Sequence, residues 1–364
     1  MSAAMLEVRQ LKKYFPVRPT IFETLRRAPA KYVRAVDGVT FSIARGEVLA
    51  LVGESGCGKT TIAKTLIGLE QQTEGTILFN GQVVGAPERR ERAALAQIES
   101  AGPGRPSPGE PRPFPRIAMK RLRQQAQMVF QDPYESLNPR ATIFDIVAEP
   151  LAVHGLARPR RERIARVKAA LEDAELRPAE DYFLRYPHEL SGGQRQRAVI
   201  AGAMVLQPEL LIADEPVSML DVSIRADILN LLRNVRTARG VSILFITHDL
   251  STVAYFADRI AVMYLGRIVE IGATREVLRS PQHPYTRALL SVIPAPNPRL
   301  RRERIILQGE TPNPIDLPGG CRFHPRCPVA VAPCRQSDPP HVPLSDSHSA
   351  ACLLVDGDAG FVQR

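Results

Sequence analysis

The sequence predicts an α/β protein, and three apolar runs with polar residues directly after them carry that prediction. Residues 48–52 are apolar and precede a glycine-rich loop, after which residues 62–66 have helical character. Residues 210–213 and 242–246 are also apolar, as strands buried on both faces of a sheet are. Ligands of such sheets gather at the carboxyl ends of the strands. We therefore expect the functional residues directly after these three runs.

The glycine-rich loop, residues 53–61, reads GESGCGKTT and has the form GxxxxGK followed by Ser or Thr. Its glycines let backbone N–H groups surround an anion, and the N-terminus of the following helix adds positive potential. In such a loop Lys59 reaches the β- and γ-phosphates of a nucleotide, and the Thr60 hydroxyl binds Mg²⁺. A glycine-rich turn that binds nothing is the alternative, but the position between strand and helix favours a phosphate site.

The chain has 364 residues, which is enough for one large domain and a smaller appendage. No uncharged apolar run approaches the roughly 18 residues of a membrane span, and residues 1–17 lack the apolar centre of a secretion signal. We therefore expect a soluble, intracellular protein, and contact with a membrane surface stays open. The net charge of +10 fits nucleic acid, anionic lipid or an acidic partner, although a solvated basic surface explains it more simply.

Local patterns predict the remaining elements. Alternating apolar and polar residues predict half-exposed antiparallel strands at 6–9 and 39–43, and residues 75–79 predict a strand that ends in a hairpin turn at Asn80-Gly81. Residues 127–130 predict a short strand, and about 141–186 predict helices from their charge pattern. The proline-rich stretch of about 86–118 predicts a mobile insertion or long loop without chemistry of its own.

A second candidate anion site follows the predicted helices. Ser191 fits a helix N-cap, and Gly192 and Gly193 allow close approach of the backbone at the helix N-terminus. An ordinary glycine-containing cap is the alternative.

Polar residues also follow the two later apolar strands. Asp214 and Glu215 come directly after residues 210–213, where two carboxylates suit an Mg²⁺ ligand followed by a base that polarises water. His248 follows residues 242–246. A lone histidine is usually structural, but one at the end of a strand beside a phosphate site is a better functional candidate.

Six motifs stand in order along the chain: GESGCGKTT, Gln131, LSGGQRQR, LLIADEP, Ser218-Met219-Leu220-Asp221 and His248. In this order they resemble the nucleotide-binding subunit of an ABC transporter over residues of about 5–280. The resemblance implies a P-loop NTPase core of the ABC ATPase kind, with an antiparallel β subdomain, an α-helical signature subdomain and a small cysteine-containing C-terminal extension. It also implies ATP and Mg²⁺ as cofactors.

The resemblance assigns roles to individual residues. The residues implied to act in catalysis are Glu215 as base, His248 as the switch histidine and Gln131 of the Q-loop. The residues implied to bind Mg²⁺ are Thr60, Gln131 and Asp214. The residues implied to bind nucleotide are Phe15, Gly53, Glu54, Ser55, Gly56, Cys57, Gly58, Lys59, Thr60, Thr61, Gln131, Asp214, Ser191, Gly192, Gly193, Gln194 and Asp221.

Two of these assignments change what the residues alone indicate. Phe15, taken alone, is better explained as a core or edge residue, whereas the resemblance makes it the aromatic residue that stacks on adenine. Residues 191–194 and Asp221 are implied to serve the nucleotide of a partner across a dimer. The phosphate-binding loop is then half of a site that a second chain completes.

A narrower resemblance is carried by residues 131–140 (QDPYESLNPR), 283–286 (HPYT) and 318–321 (PGGC), which look like those of the oligopeptide and dipeptide import ATPases. It implies an ATPase that energises peptide import across the bacterial inner membrane, lying peripherally on the cytoplasmic face. The implied partners are a second ABC ATPase, expected to form a heterodimer, two transmembrane permease subunits and, indirectly, an external substrate-binding protein.

Two alternative functions stay open. One is an importer ATPase for a solute other than a peptide, since cargo specificity resides in other subunits. The other is an ABC-type ATPase acting on nucleic acid, for which the positive charge would be used. The middle of the chain shows no sustained heptads of the coiled coils that such proteins usually insert, so nucleic acid is not expected as a partner.

Four of the five cysteines lie after residue 320, at Cys321, Cys327, Cys334 and Cys352. The surrounding segment is rich in proline and glycine, so we expect it to have little core of its own. Four thiolates close to one another suit Zn²⁺ or an iron–sulfur cluster, and their spacing does not decide between the two. The resemblance to the peptide-importer tail favours a [4Fe-4S] cluster, with zinc and unliganded thiols as the alternatives.

The same resemblance divides the chain into two domains. Residues 1–285 are expected to form the ABC nucleotide-binding domain, with a helical subdomain at about 136–196 and the proline-rich insertion at about 86–118. Residues 286–364 are expected to form the C-terminal extension with the four-cysteine cluster.

Overall fold

The computed structural model describes residues 4–19, 30–84, 117–293, 304–356 and 360–361. The strands are β1 Ala4–Pro16, β2 Tyr32–Ala44, β3 Val48–Val52, β4 Glu74–Phe79, β5 Gln82–Val83, β6 Ala126–Val129, β7 Leu210–Asp214, β8 Ser242–Thr247, β9 Arg259–Tyr264, β10 Arg267–Ala273, β11 Val342–Pro343, β12 Ser349–Ala350, β13 Val355–Asp356 and β14 Gly360–Phe361. The α-helices are α1 Lys59–Leu66, α2 Met119–Gln125, α3 Pro133–Ser136, α4 Ile143–His154, α5 Arg160–Asp173, α6 Glu180–Phe183, α7 Gly192–Met204, α8 Val222–Arg239, α9 Leu250–Phe256, α10 Thr274–Arg279 and α11 Pro284–Ser291.

The chain folds as two compact units. The first unit comprises Met1–Met5, Ile43–Leu49 and Ile117–Thr247, and the second comprises Leu6–Ser42, Ala50–Arg116 and His248–Arg364. The predicted insertion of about 86–118 lies almost wholly outside the described residues, which resume at residue 117.

The first unit contains the parallel strands β6, β7 and β8. Leu210 of β7 pairs with Ala126 of β6 on one side and with Ser242 of β8 on the other. Every residue of β7 and β8 is buried. This burial explains why both strands are apolar runs without alternation, and it confirms the strands predicted from residues 210–213 and 242–246.

The helices of the first unit begin and end at recognisable residues. Thr142 precedes α4, and its hydroxyl accepts a hydrogen bond from the Asp145 N–H at 3.2 Å. The same helix ends at Gly155, whose positive φ of 71° is the conformation that glycine adopts without strain. Helices α4, α5 and α6 all lie within the helical region predicted for residues of about 141–186.

The second unit contains an antiparallel sheet in the order β2-β1-β4-β5. Strands β4 and β5 form the predicted hairpin, in which Phe79 pairs with Gln82. The two turn residues, Asn80 and Gly81, have φ values of 48° and 72°. Positive φ at both central positions matches the right-handed twist of the flanking strands, and Asn-Gly provides it at little cost.

A second set of antiparallel strands in this unit includes residues from the C-terminal part of the chain. The strand order is β11-β12-β10-β9, so Ser349 and Ala350 of β12 pair with β10. Phe323 is 1% exposed, and its ring lies 5.2 Å from that of Tyr264 and 5.4 Å from that of Tyr285. We expected little core in this proline- and glycine-rich segment, but its aromatic and strand residues join the core of the second unit.

The architecture confirms the predicted α/β fold class, with parallel strands in one unit and antiparallel sheets in the other. Within the described residues, no helix is long and apolar enough to cross a membrane.

Candidate nucleotide-binding site

The phosphate-binding loop belongs to the second unit and leads directly into α1. Lys59 is the first residue of this helix and is only 5% exposed. Its ammonium group donates hydrogen bonds to the carbonyl oxygens of Gly53 at 2.7 Å and Glu54 at 3.0 Å. The loop therefore curls around the lysine side chain, whose ammonium group points back towards the start of the loop.

Two glycines of the loop are required by its geometry. A Cβ atom on Gly53 would lie 2.3 Å from the carbonyl oxygen of Met263. A Cβ atom on Gly58 would lie 2.1 Å from the carbonyl oxygen of Ala35, and Gly58 also has a φ of +108°. Backbone of β2 and β9 approaches the loop too closely for any side chain at these two positions. The close approach fixes the curved path that a phosphate cradle needs.

Cys57 lies inside the same loop and is 4% exposed. Its sulfur is 3.8 Å from the Lys59 ammonium nitrogen. Burial raises the pKa of this thiol, and the nearby Lys59 offsets only part of that rise. The side chain is therefore a neutral thiol at physiological pH, and the positive charge of Lys59 is not cancelled by a thiolate.

The other predicted nucleotide contacts of the second unit are accessible. Ser55, Gly56, Thr60 and His248 are exposed. Phe15 is partly buried near the end of β1, and the Lys13 ammonium lies 4.7 Å from the centre of its ring.

The first unit brings together three of the predicted catalytic and Mg²⁺-binding residues. Asp214 ends β7 and is 2% exposed, and Glu215 follows it. The Glu215 N–H donates to the Ile246 carbonyl at 2.9 Å, and its φ is 47°, an uncommon value for a residue other than glycine. The Gln131 side-chain amide donates to Oε2 of Glu215 at 3.3 Å. The strand end therefore places two carboxylates in succession, with an amide beside the second.

The predicted signature residues also lie in the first unit. Ser191 caps α7: its hydroxyl accepts from the Gln194 N–H at 3.3 Å, and the Gln194 side chain accepts from the Ser191 N–H at 3.0 Å. This reciprocal capping box confirms the predicted N-cap. A Cβ on Gly193 would lie 2.8 Å from Cγ2 of Ile224, so the loop packs against the start of α8.

The predicted D-loop residue adjoins this helix. Asp221 directly precedes α8 and is exposed. The signature loop and Asp221 therefore lie on neighbouring elements, as the resemblance implies for residues that face a second chain.

The four late cysteines lie near one another in the second unit. Burial raises the pKa of Cys327 and of Cys352 to about 11, and the neighbouring cysteines add to both shifts. For Cys352 the contributing neighbours are Cys321, Cys327 and Cys334. Among the described residues, however, no group of three or more His, Cys, Asp or Glu side chains is placed to hold a metal ion. Coordination would require the four thiols to move closer together.

Sequence reasoning missed the contacts that hold Glu54 of the phosphate-binding loop. Its N–H donates to the Tyr285 hydroxyl at 3.0 Å, and its carboxylate accepts from Arg326 and from Thr311, each at 2.8 Å. Tyr285 belongs to the HPYT stretch, which we used only as a family motif. Arg326 is 272 residues from Glu54 in the chain, and no local pattern marks such a pair.

Comparison with protein families agrees with this geometry. Residues 36–218 match the family described as ABC transporter. Residues 269–334 match the family described as the oligopeptide/dipeptide transporter C-terminal region. The two matches together include the phosphate-binding loop, both carboxylates at the end of β7, and three of the four late cysteines.

Two curated relatives are similar over nearly the whole chain. The oligopeptide transport ATP-binding protein AppF of Bacillus subtilis is 44% identical, over 96% of this chain and 97% of its own. The dipeptide transport ATP-binding protein DppF of Haemophilus influenzae is 42% identical, over 97% of both chains.

Solved structures show the same fold. The protein cbiO1 from Clostridium perfringens, part of the ABC transporter complex cbiONQ, matches with a TM-score of 0.56 and 27% identity, over 76% of this chain and 91% of its own. The ATP-binding cassette MJ0796, seen as a dimer bound to ADP and Pi, matches with a TM-score of 0.57 and 25% identity, over 74% of this chain and 99% of its own. The chain therefore belongs to the ABC transporter family, and its C-terminal region is that of the oligopeptide and dipeptide transporters.

Proposed function

We propose that this chain is the ATP-hydrolysing subunit of a bacterial ABC importer for di- or oligopeptides. The observation that carries the proposal is the arrangement after β7, where Glu215 follows the buried Asp214 and accepts a hydrogen bond from Gln131. The names of the two relatives, oligopeptide and dipeptide transport ATP-binding proteins, support peptides as the cargo. Neither relative is named for another cargo or for nucleic acid, so neither alternative function is favoured.

The residues take the following roles in this proposal. Phe15 stacks on adenine, residues 53–61 hold the phosphates, and Thr60, Gln131 and Asp214 are the residues that hold Mg²⁺. When bound, Mg²⁺ neutralises charge on the β- and γ-phosphates. Glu215 accepts a proton from the attacking water, and His248 contacts the γ-phosphate.

The signature residues complete the nucleotide site of a second subunit. Residues 191–194 present the N-terminus of α7, and the positive end of the helix dipole attracts a phosphate. Asp221 lies beside them at the start of α8. The exposure of Ser191 and Asp221 supports a partner at this surface. We propose that the partner is a second, related ABC ATPase.

The assembly follows from this role. Two permease subunits would span the membrane, an external binding protein would deliver the cargo, and this chain would lie peripherally on the cytoplasmic face. The expected domain division, with a nucleotide-binding domain at 1–285 and an extension at 286–364, is part of the same proposal. The family matches at 36–218 and 269–334 support it.

We further propose that the four late cysteines bind one metal centre, a [4Fe-4S] cluster in preference to Zn²⁺. A shared neighbourhood is supported by the Cys321 N–H, which donates to the Cys334 carbonyl at 2.9 Å, and by the pKa of Cys352, which burial raises and to which Cys321, Cys327 and Cys334 add. Thiolate sulfur is the donor that both iron–sulfur clusters and Zn²⁺ prefer. A bound centre would cross-link a segment that has few regular elements.

Replacement of the proposed base tests the hydrolytic role. We expect Glu215→Gln to bind ATP with unchanged affinity but to hydrolyse it at least about a hundredfold more slowly, because a neutral amide cannot accept the proton of water. Glu162→Gln is the matched control, since the Glu162 side chain is 43% exposed on α5 and pairs with Arg166. Binding is measured by nucleotide titration and hydrolysis by phosphate release. Near-normal turnover in Glu215→Gln would remove Glu215 as the base.

A further inference from the structure

The C-terminal segment 321–327 reaches the phosphate-binding loop through an arginine. Arg326 Nη1 lies 2.8 Å from Oε2 of Glu54, and the two side chains are 10% and 28% exposed. Thr311 donates to the same carboxylate oxygen at 2.8 Å, and Arg326 also contacts the Thr311 hydroxyl at 3.2 Å. A charge-assisted pair with this little exposure is worth more than one at an open surface.

Glu54 is an unfavourable residue in a loop that binds polyphosphate. Its carboxylate is negative, whereas the loop attracts anions with N–H groups and the Lys59 ammonium. The pairing with Arg326 offsets the negative charge of Glu54, because the positively charged guanidinium lies against the carboxylate. An arginine guanidinium is protonated throughout the physiological pH range, so the pair carries a positive charge against the carboxylate.

The same residue connects Arg326 to the lysine of the loop. The carbonyl oxygen of Glu54 accepts a hydrogen bond from the Lys59 ammonium at 3.0 Å, and the Glu54 N–H donates to the Tyr285 hydroxyl at 3.0 Å. Only one residue therefore separates Arg326 from Lys59. Loss of the Arg326 contact with the Glu54 carboxylate would therefore affect the residue whose carbonyl oxygen positions the Lys59 ammonium.

The segment that presents Arg326 is itself anchored. Arg322 donates to the Leu265 carbonyl at 2.5 Å and forms a buried ion pair with Asp37. Phe323 packs between Tyr264 and Tyr285, whose rings are 5.2 Å and 5.4 Å away. Arg326 is thus held on a fixed support rather than on a free tail, which lowers the entropy cost of its contact with Glu54.

We propose that Arg326 is a positioning residue for ATP binding, because it neutralises and holds the Glu54 carboxylate so that the loop offers phosphates an uncompensated Lys59. The C-terminal segment is then part of the nucleotide-binding apparatus of its own chain. This inference rests on the proposed function, in which residues 53–61 bind ATP.

The test compares nucleotide affinity in the full-length chain and its variants. Arg326→Met keeps the apolar stem and removes the charge, and we expect it to weaken ATP binding about tenfold while kcat at saturating ATP stays within about twofold. Arg326→Met combined with Glu54→Gln should return the affinity to within about threefold of the wild type, because the unpaired carboxylate is gone. Arg326→Lys, which keeps a point charge, should lie between the wild type and Arg326→Met.

The matched control is Arg335→Met, which removes an exposed arginine that also stands beside a late cysteine. Wild-type affinity in Arg326→Met, or a double variant that binds no better than Arg326→Met, would overturn the proposal. If Arg326→Met does not fold, Glu54→Gln alone decides: unchanged or tighter ATP binding supports the proposal, and binding weakened about tenfold contradicts it. Lys59→Ala tests the proposed function separately from the role of Arg326. Wild-type ATP affinity in that variant would show that the loop is not the ATP site, whatever the Arg326 variants show.

Discussion

At the scale of single residues, the phosphate-binding loop has no room for a side chain at two positions and carries no thiolate at a third. Gly53 and Gly58 face carbonyl oxygens at distances that leave no room for a Cβ atom. Cys57 stays a neutral thiol because burial raises its pKa. The loop is therefore held in one shape with one buried positive charge at Lys59, and its geometry and its charge are fixed by separate contacts.

Substitution of two glycines of the loop distinguishes the cost of a positive φ from the cost of a close backbone contact. Gly56 and Gly58 both have positive φ, at 78° and 108°, but only Gly58 has backbone within reach of a Cβ atom. We expect Gly56→Ala to lower the free energy of unfolding by about 1–2 kcal/mol, the cost of a left-handed residue with a side chain. Gly58→Ala should cost clearly more and should abolish ATP binding, because the Ala35 carbonyl must move. Urea unfolding and nucleotide titration measure both effects; equal losses in the two variants would show that φ alone matters.

At the scale of elements, helix α11 begins at a buried histidine. His283 is 1% exposed, and its Nδ1 accepts a hydrogen bond from the Tyr285 N–H at 3.1 Å. The His283 N–H donates to Oε2 of the buried Glu270 at 2.9 Å. The pKa of His283 is lowered to about 4, chiefly by burial; Glu270 opposes this shift, and His341 adds to it. The helix cap therefore requires the neutral ring.

This cap should make stability depend on pH. The pKa is about 4 in the folded chain and ordinarily 6.5, so the unfolded state binds more protons between these values. Stability is then lost as pH falls from about 6.5 towards 4, by about 2 kcal/mol at pH 5. We expect His283→Asn, whose side chain can cap the helix without titrating, to reduce this loss. The comparison needs urea unfolding at pH 7.5 and pH 5, with the exposed His188→Asn as control; an unchanged slope in His283→Asn would contradict it.

The elements also show which features a sequence reveals. The hairpin at Asn80-Gly81 and the cap at Ser191 were predicted correctly, because each depends on residues within a few positions of one another. The pairs Arg326–Glu54 and Arg322–Asp37 join residues 272 and 285 positions apart, and nothing local marks them. Both arginines lie in a segment that we expected to lack a core. This segment joins the core of the second unit because it packs against aromatic residues elsewhere in the chain. Composition does not predict such contacts.

At the scale of the whole molecule, the four late cysteines link the C-terminal segment to the core of the second unit. Cys321 and Cys327 pack against the cluster that contains Tyr264, Tyr285 and Phe323. Ala350, two residues before Cys352, pairs with Glu270 of β10. A centre bound by these thiols would therefore join parts of one core. We expect its loss to weaken the contact between Arg326 and Glu54.

Metal content and stability test this link together. In the metal-free chain the thiols of Cys327 and Cys352 are protonated at neutral pH, because burial raises the pKa of each to about 11. Binding must release these protons, so we expect affinity for the metal to fall as pH is lowered. Anaerobically purified protein should be brown with broad visible absorption, and Cys352→Ser should lose the colour and several degrees of Tm, whereas Cys57→Ser should keep the colour. Colourless protein with stoichiometric zinc would show that the centre holds zinc and not iron. Protein without bound metal would contradict the proposal of a metal centre.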